Sequence, residues 1–283
     1  MDSVILAGFA GLGSIGLVLA LGLVFANKKL YVADDPLLAT VKELLPSTNC
    51  GGCGYPGCGQ FAEGLVAGDV TVAKCAVLDD EGKHELSCVL GKSFETTERM
   101  LARIMCQGGL NEAKLKGVYT GAKSCAASQY VSGGHKLCEY GCIGFGDCAI
   151  SCPFDAIFMN ANELPEIIDA KCTGCGICVD TCPKDIIELH PESRNLLLLC
   201  KSLDINKDAK KACSKSCTAC GLCTPDNGGA ISIVENIAVI DFGREGLITK
   251  QPECPRNCFS EIKNKIEEIP ESAEAAQEEQ CIA

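Results

Sequence analysis

LPEIIDAKCTGCGICVDTCP, residues 164–183, decides the fold. Its cysteines Cys172, Cys175, Cys178 and Cys182 follow the spacing C-x2-C-x2-C-x3-C-P. In such a run three thiolates bind one [4Fe–4S] cube and the fourth ligates the other cube of a pair. A partner half ending in Cys-Pro is therefore required. CIGFGDCAISCP, residues 142–153, meets the requirement, with Phe145 standing where the middle cysteine is expected. Cys138, four residues before Cys142, is the natural substitute. One cluster then takes Cys152, Cys172, Cys175 and Cys178. The other takes Cys142, Cys148 and Cys182, with Cys138 as its fourth ligand. Zinc also accepts four cysteines, but zinc sites do not explain this exchange of fourth ligands.

The segments FDAIFM (154–159) and KDIIEL (184–189) read as edge strands that complete a ferredoxin-like domain. Seventy-two residues after the opening stretch comes NIAVIDFGREGLITKQPECP, residues 236–255. Aligning Asp241 with Asp169 brings both runs to Cys-Pro. Arg244, Leu247 and Lys250 then stand where Cys172, Cys175 and Cys178 stand, and Cys254 matches Cys182. The preceding half keeps Cys217, Cys220 and Cys223 but lacks the next cysteine. By the crossover of fourth ligands, these three and Cys254 are the full set for one cluster, and the lost positions are the full set for the other. The expectation is a degenerate ferredoxin-like domain with a single cluster.

Upstream, Cys50, Cys53 and Cys58 precede Cys75 in the pattern C-x2-C-x4-C-x16-C. Flanking glycines let the backbone wrap closely around an inorganic core. A [4Fe–4S] cube fits, and on spacing alone zinc is the alternative. Seven of the 23 cysteines remain: Cys88, Cys106, Cys125, Cys200, Cys213, Cys258 and Cys281. Cys106 and Cys200 end apolar stretches ahead of the two ferredoxin units, and Cys213 sits four residues before Cys217, as Cys138 does before Cys142. Buried thiols are one reading of these residues. Ligation of a further cluster is the other, with Cys106, Cys125, Cys200, Cys213 and Cys258 as additional ligand candidates.

A cysteine count this high, in tight C-x-x-C runs, argues against a disulfide scaffold and for a reducing compartment. Net charge is −12 and no basic stripe is present, so nucleic-acid binding is not expected. His84, His135 and His190 are scattered and read as surface or loop residues. No Rossmann glycine fingerprint or P-loop occurs, so the chemistry read from this chain is one-electron transfer without a catalytic nucleophile.

Residues 4–26, VILAGFAGLGSIGLVLALGLVFA, carry no charge and are followed by Lys28 and Lys29. Their length predicts a transmembrane helix, with the N-terminus outside and the remainder cytoplasmic. A short amphipathic helix is expected from Pro36, and residues 93–117 read as partly helical. The fold class is thus α+β: a transmembrane helix over 1–27, a small iron–sulfur domain over 28–90, a two-cluster ferredoxin-like domain over 91–190, a degenerate one over 191–260, and an acidic tail over 261–283.

This order of parts resembles the B subunit of the Rnf (Rsx) electron-transport complex in its longer form. The resemblance is carried by NCGGCGYPGCGQFA (49–62) with Cys75, by KLCEYGCIGFGDCAISCPFDAI (136–157), and by the full half at 172–183. It implies at least four [4Fe–4S] clusters in a membrane-anchored subunit of an ion-translocating ferredoxin:NAD+ oxidoreductase. Electrons would come from soluble ferredoxin and pass to the other membrane and peripheral Rnf subunits, where the flavin and NAD chemistry resides. It also implies an inner-membrane, single-pass placement with cytoplasmic clusters. Two rival readings are a redox-regulatory complex that keeps an iron–sulfur transcription factor reduced, and the iron–sulfur subunit of another membrane oxidoreductase.

Overall fold

The structure is a computed structural model and describes residues 2–30, 35–92, 98–225, 227–248 and 251–261. The acidic tail from residue 262, Cys281 and Lys250 lie outside them.

Helix α1 spans Asp2–Leu30 and ends on Lys28 and Lys29. It does not form the expected transmembrane segment: among the described residues no helix is long and apolar enough to cross a membrane. A run without charges sets only an expectation of a span, and the finding on the described helices overturns it. The single-pass inner-membrane placement, with an outer N-terminus and cytoplasmic clusters, loses its basis with it.

Helix α2, Pro36–Leu44, starts where expected: Asp35 caps it by accepting from the Leu37 N–H at 2.9 Å, and proline takes the first helical position. With α3 (Cys58–Ala67) and α4 (Asp80–Leu90) it encloses a first core around Val41, Phe61, Leu65 and Leu86. Burying each such side chain contributes about 1.5–3 kcal/mol.

Two modules of one design follow. In the first, strand β1 (Met100–Ile104) pairs antiparallel with β4 (Ile187–Pro191), bringing Ile104 opposite Ile187. Between them lie the short helices α5 (Cys125–Gln129) and α6 (Asp147–Ile150), the hairpin β2 (Ile157–Met159) and β3 (Pro165–Ile167), and helix α7 (Ile177–Thr181). The partly helical reading of 93–117 is corrected here. A short apolar run such as MLARIM fits either periodicity, and pairing with β4 settles it as strand.

The second module repeats the plan. Strand β5 (Leu196–Leu198) pairs with β8 (Phe259–Glu261), with Leu198 opposite Phe259. Helix α8 (Asn206–Ala212) and the hairpin β6 (Ile231–Val234) and β7 (Ile237–Ile240) lie between. Four backbone bonds mark equivalent places: Met105 N–H to Ile186 O at 2.7 Å, Leu199 to Cys258 at 2.8 Å, Ile168 to Ala156 at 2.8 Å and Asp241 to Ala230 at 2.7 Å. Asp241 thus takes the place of Ile168, one residue from the sequence alignment with Asp169. The cause is the hairpin. Glu235 and Asn236, both at positive φ (47° and 67°), close β6–β7 with two residues, whereas five residues link β2 to β3.

Candidate metal centres

The C-x2-C-x2-C loop at 172–178 runs into the short helix α7, whose cap is a left-handed glycine, Gly176 at φ 85°. A side chain there would be strained, so the loop curls tightly and aims its thiols to one side. Cys152, Cys172, Cys175 and Cys178 together line one cavity, the set expected from the crossover. Backbone N–H groups of Ala102 and Ala156 point at the Cys172 and Cys152 sulfurs, at 3.5 and 3.4 Å. Such amide donors stabilise negative sulfur and tune a cluster's potential.

A second cavity is lined by Cys142, Cys148, Cys182 and Cys125. Here the structure departs from the spacing argument, because Cys138 lines a different cavity. Cys125 opens α5, and Asp147 draws that helix in. The Asp147 carboxylate accepts from Ser124 Oγ and from the N–H groups of Cys125 and Ala126, at 2.9 to 3.0 Å. Asp147 stands next to Cys148, so one side chain registers two of the four thiols. The Phe145 ring packs instead against Tyr119 and His135, with centroids 5.6 and 5.1 Å away. A carboxylate beside the ligand run was the available signal for Cys125, but it names no distant partner.

In the first domain, Cys58 begins α3 and its N–H donates to Asn49 Oδ1 at 2.8 Å, which folds the Cys50–Cys58 loop back on itself. Burial pushes the Cys75 thiol up, and Cys50 and Cys53 add to the rise, so the three lie within electrostatic reach of one another. A Cβ at Gly52 would lie 2.5 Å from the Cys175 carbonyl. Glycine is therefore what allows this loop to rest on the next cysteine loop.

In the second module Cys217 and Cys223 are buried, Cys220 is exposed and Cys254 is half-buried. Burial pushes Cys223 up to about 11, with Cys217, Cys220 and Cys254 raising it further. The Cys258 N–H donates to the Cys254 sulfur at 3.3 Å, as the Ala156 N–H donates to Cys152. Cys258 thus occupies the core position of Ala156 and Ile186, four residues past a Cys-Pro, and is fully buried. That makes it a packing residue in this frame. Where the other half of the module lost its cysteines, the Phe242–Leu247 segment forms a 3-10 turn. The Arg194 guanidinium sits 3.6 Å over the Phe242 ring, His190 packs on its edge, and Arg194 pairs with Glu245 at 3.6 Å. His190 is buried, bonded to Glu188 and Arg194, and not the surface residue its isolation suggested.

Every described cysteine is free. Among the described residues no three His, Cys, Asp or Glu side chains converge tightly enough to hold a single metal ion. Tetrahedral zinc would need its sulfurs about 2.3 Å from one point. Burial pushes Cys148 and Cys178 up to about 12, with neighbouring cysteines adding to the rise. Loading these sites must therefore draw protons off, and iron, when bound, would supply positive charge beside the sulfurs.

Comparison with known proteins agrees with this chemistry. A family model described as "Putative Fe-S cluster" matches residues 45–77, and one described as "4Fe-4S dicluster domain" matches residues 136–189. The chain is 35% identical, over 92% of its length and 79% of the relative's, to the B subunit of the Na(+)-translocating ferredoxin:NAD(+) oxidoreductase complex of Acetobacterium woodii. The B subunit of the ion-translocating oxidoreductase complex of Methanosarcina acetivorans is 35% identical over 85% of this chain and 92% of its own. The B subunit of the proton-translocating ferredoxin:NAD(+) oxidoreductase complex of Clostridium ljungdahlii is 37% identical over 80% and 81%. The chain belongs to the B-subunit family of ion-translocating oxidoreductase complexes. As a member of that family it is an iron–sulfur electron-transfer protein. The family-model matches cover the first domain and the first module, so the second module of this family member rests on the repeat just described.

Proposed function

We propose that this protein takes single electrons from a reduced soluble ferredoxin and relays them to the other subunits of an ion-translocating ferredoxin:NAD+ oxidoreductase. Four thiol sets are the proposed stations: Cys50, Cys53, Cys58 and Cys75; Cys152, Cys172, Cys175 and Cys178; Cys125, Cys142, Cys148 and Cys182; and Cys217, Cys220, Cys223 and Cys254. Each would hold a [4Fe–4S] cube, which when bound takes up and returns one electron at a time. Cys125 replaces Cys138 in the third set. NAD+ reduction and ion movement are assigned to partner subunits, since this sequence has no dinucleotide fingerprint.

The observation that carries the reading is the side-by-side placement of four-thiol cavities in the first module. The chain's own residues keep these cavities shielded by apolar side chains, aim N–H groups at sulfur, and hold the loops in tight glycine turns. Such shielding lowers reorganisation around a site whose charge changes by one.

The test is metal analysis of anaerobically purified full-length chain, followed by electron paramagnetic resonance after mixing with pre-reduced ferredoxin freed of excess reductant. Iron at four atoms per site, about 16 or more in all, and signals of reduced cubes after mixing are expected. Substantial zinc without an iron signal would overturn the relay. Iron without reduction by ferredoxin would overturn the donor.

A further inference from the structure

Four of the cysteines outside those sets, or displaced from them, meet in one place. Cys106, Cys138, Cys200 and Cys213 line one cavity between the two modules. We propose that they hold a further [4Fe–4S] cluster on the seam between the modules; the proposal rests on the iron–sulfur relay described above.

The internal repeat makes the set two equivalent pairs. Cys106 follows β1 and Cys200 follows β5, each two residues beyond its strand. Cys138 and Cys213 each stand four residues before a ligand of the adjoining set, Cys142 and Cys217. The hydrogen bonds repeat as well. Gly108 N–H donates to the Cys106 sulfur at 3.3 Å and Ser202 N–H to Cys200 at 3.5 Å. Cys142 N–H donates to Cys106 at 3.4 Å and Cys217 N–H to Cys200 at 3.3 Å. Lys215 N–H adds a donor to Cys213 at 3.4 Å. Five amides aimed at three sulfurs suit thiolate ligands, whereas thiols that merely fill a core need none.

Two glycines report how closely the sulfurs gather. A Cβ at Gly108 would stand 3.3 Å from the Cys213 sulfur and 3.6 Å from that of Cys106. One at Gly141 would stand 3.4 Å from Cys138 and 3.7 Å from Cys106. Three lysines, Lys136, Lys201 and Lys215, line the same cavity, and their positive charge offsets that of bound thiolates. The seam itself is stitched by backbone bonds, Lys114 N–H to Ala212 O at 2.8 Å and Ser214 N–H to Glu112 O at 2.9 Å.

Position adds an argument. The amides of Cys142 and Cys217 belong to ligands of the flanking proposed clusters, and each donates directly to a sulfur of the seam set. The seam cluster would thus lie between the last station of the first module and the single station of the second. It would take one electron from a reduced neighbouring cluster on one side and give one to an oxidised cluster on the other.

The experiment counts iron and sulfide in full-length chain purified anaerobically, as wild type, Cys125→Ser, Cys138→Ser and the double variant. Wild type should hold about 20 iron atoms, each single variant about 16 and the double variant about 12, at four per cube. A double variant that keeps about 16 would place Cys125 and Cys138 on one cluster and overturn the seam site. So would a wild type at about 16 whose count is unchanged by Cys138→Ser, or one zinc per chain lost in that variant. Should Cys138→Ser not fold, Cys213→Ser takes its place, and the wild-type count of about 20 against about 16 still decides. A chain holding zinc and no iron would instead overturn the relay as a whole.

Discussion

The two modules share a frame and differ in what fills it. Both begin with a strand followed by Met-Cys or Leu-Cys, enclose a hairpin, and close with a strand paired to the first. The first module gathers two complete thiol sets, while the second gathers one. Where the second set is gone, aromatic and ionic packing stands: Phe242 under Arg194, with Glu245 paired to Arg194. Beside the frame, the first module buries an ion pair, Arg103 to Asp169 at 2.5 and 3.0 Å. The register puts Leu197 and Phe242 at those two positions in the second module, and Leu197 is fully buried. The lesson is that frame and thiols separate: the backbone bonds that define the module are kept where one set of cysteines is absent and packing stands in its place.

The strongest way to break this comparison is at the one ligand the degenerate half retains. Cys254→Ser should lose about four iron atoms and leave the first module's clusters in place, because a cube needs its full ligand set. Cys258→Ala should keep the iron, since Cys258 fills the position of Ala156 and Ile186. Iron loss in the second variant and not the first would exchange their roles and undo the equivalence.

The next test concerns the buried pair. Asp169→Ala should destabilise the chain by about 3–5 kcal/mol, because it strands the Arg103 charge in the core. Asp169 also positions the Arg99 contacts, whose guanidinium donates to the Asp169 and Cys172 carbonyls at 2.7 Å. Denaturant midpoints of the holo chain measure the loss. A cost under about 1 kcal/mol would mean the pair is surface-like and the contrast with Leu197 empty.

The smallest effect lies at the link between modules. Glu188 bonds His190 at 3.1 Å and pairs with Lys201 at 2.5 Å, and these partners hold its carboxyl at about 2. A carboxyl lowered in the folded state gives stability that is present above its unfolded value, near 4.3, and lost as pH falls toward 2. The side chain is 39% exposed, so solvent screening keeps the contribution below about 1 kcal/mol. The melting-temperature gap between wild type and Glu188→Gln, taken at matched pH, should therefore be present at pH 6 and shrink below about pH 4.5. A gap that widens on acidification would reverse the sign and refute the assignment.

Much of this architecture is legible in the chain. The C-x2-C-x2-C runs, the Cys-Pro stops and the glycines between them are local signals, because one loop supplies three thiols and its geometry follows from its own turns. So spacing names Cys152, Cys172, Cys175 and Cys178 together, and these four line one cavity. What spacing could not choose was between Cys125 and Cys138. Their distances along the chain carry no periodic signal; the structure places Cys125 on α5 beside Asp147 and Cys138 on the cavity between the modules. The one-residue shift at Asp241 came from a two-residue hairpin that an alignment without gaps cannot see. Apolar content likewise suggested a membrane span in α1, but among the described residues no helix is long and apolar enough to cross a membrane. Sequence determined the chemistry, since thiolate and glycine spacing act within one loop. Tertiary structure decided the partners, since a fourth ligand is chosen by whichever distant element packs against that loop.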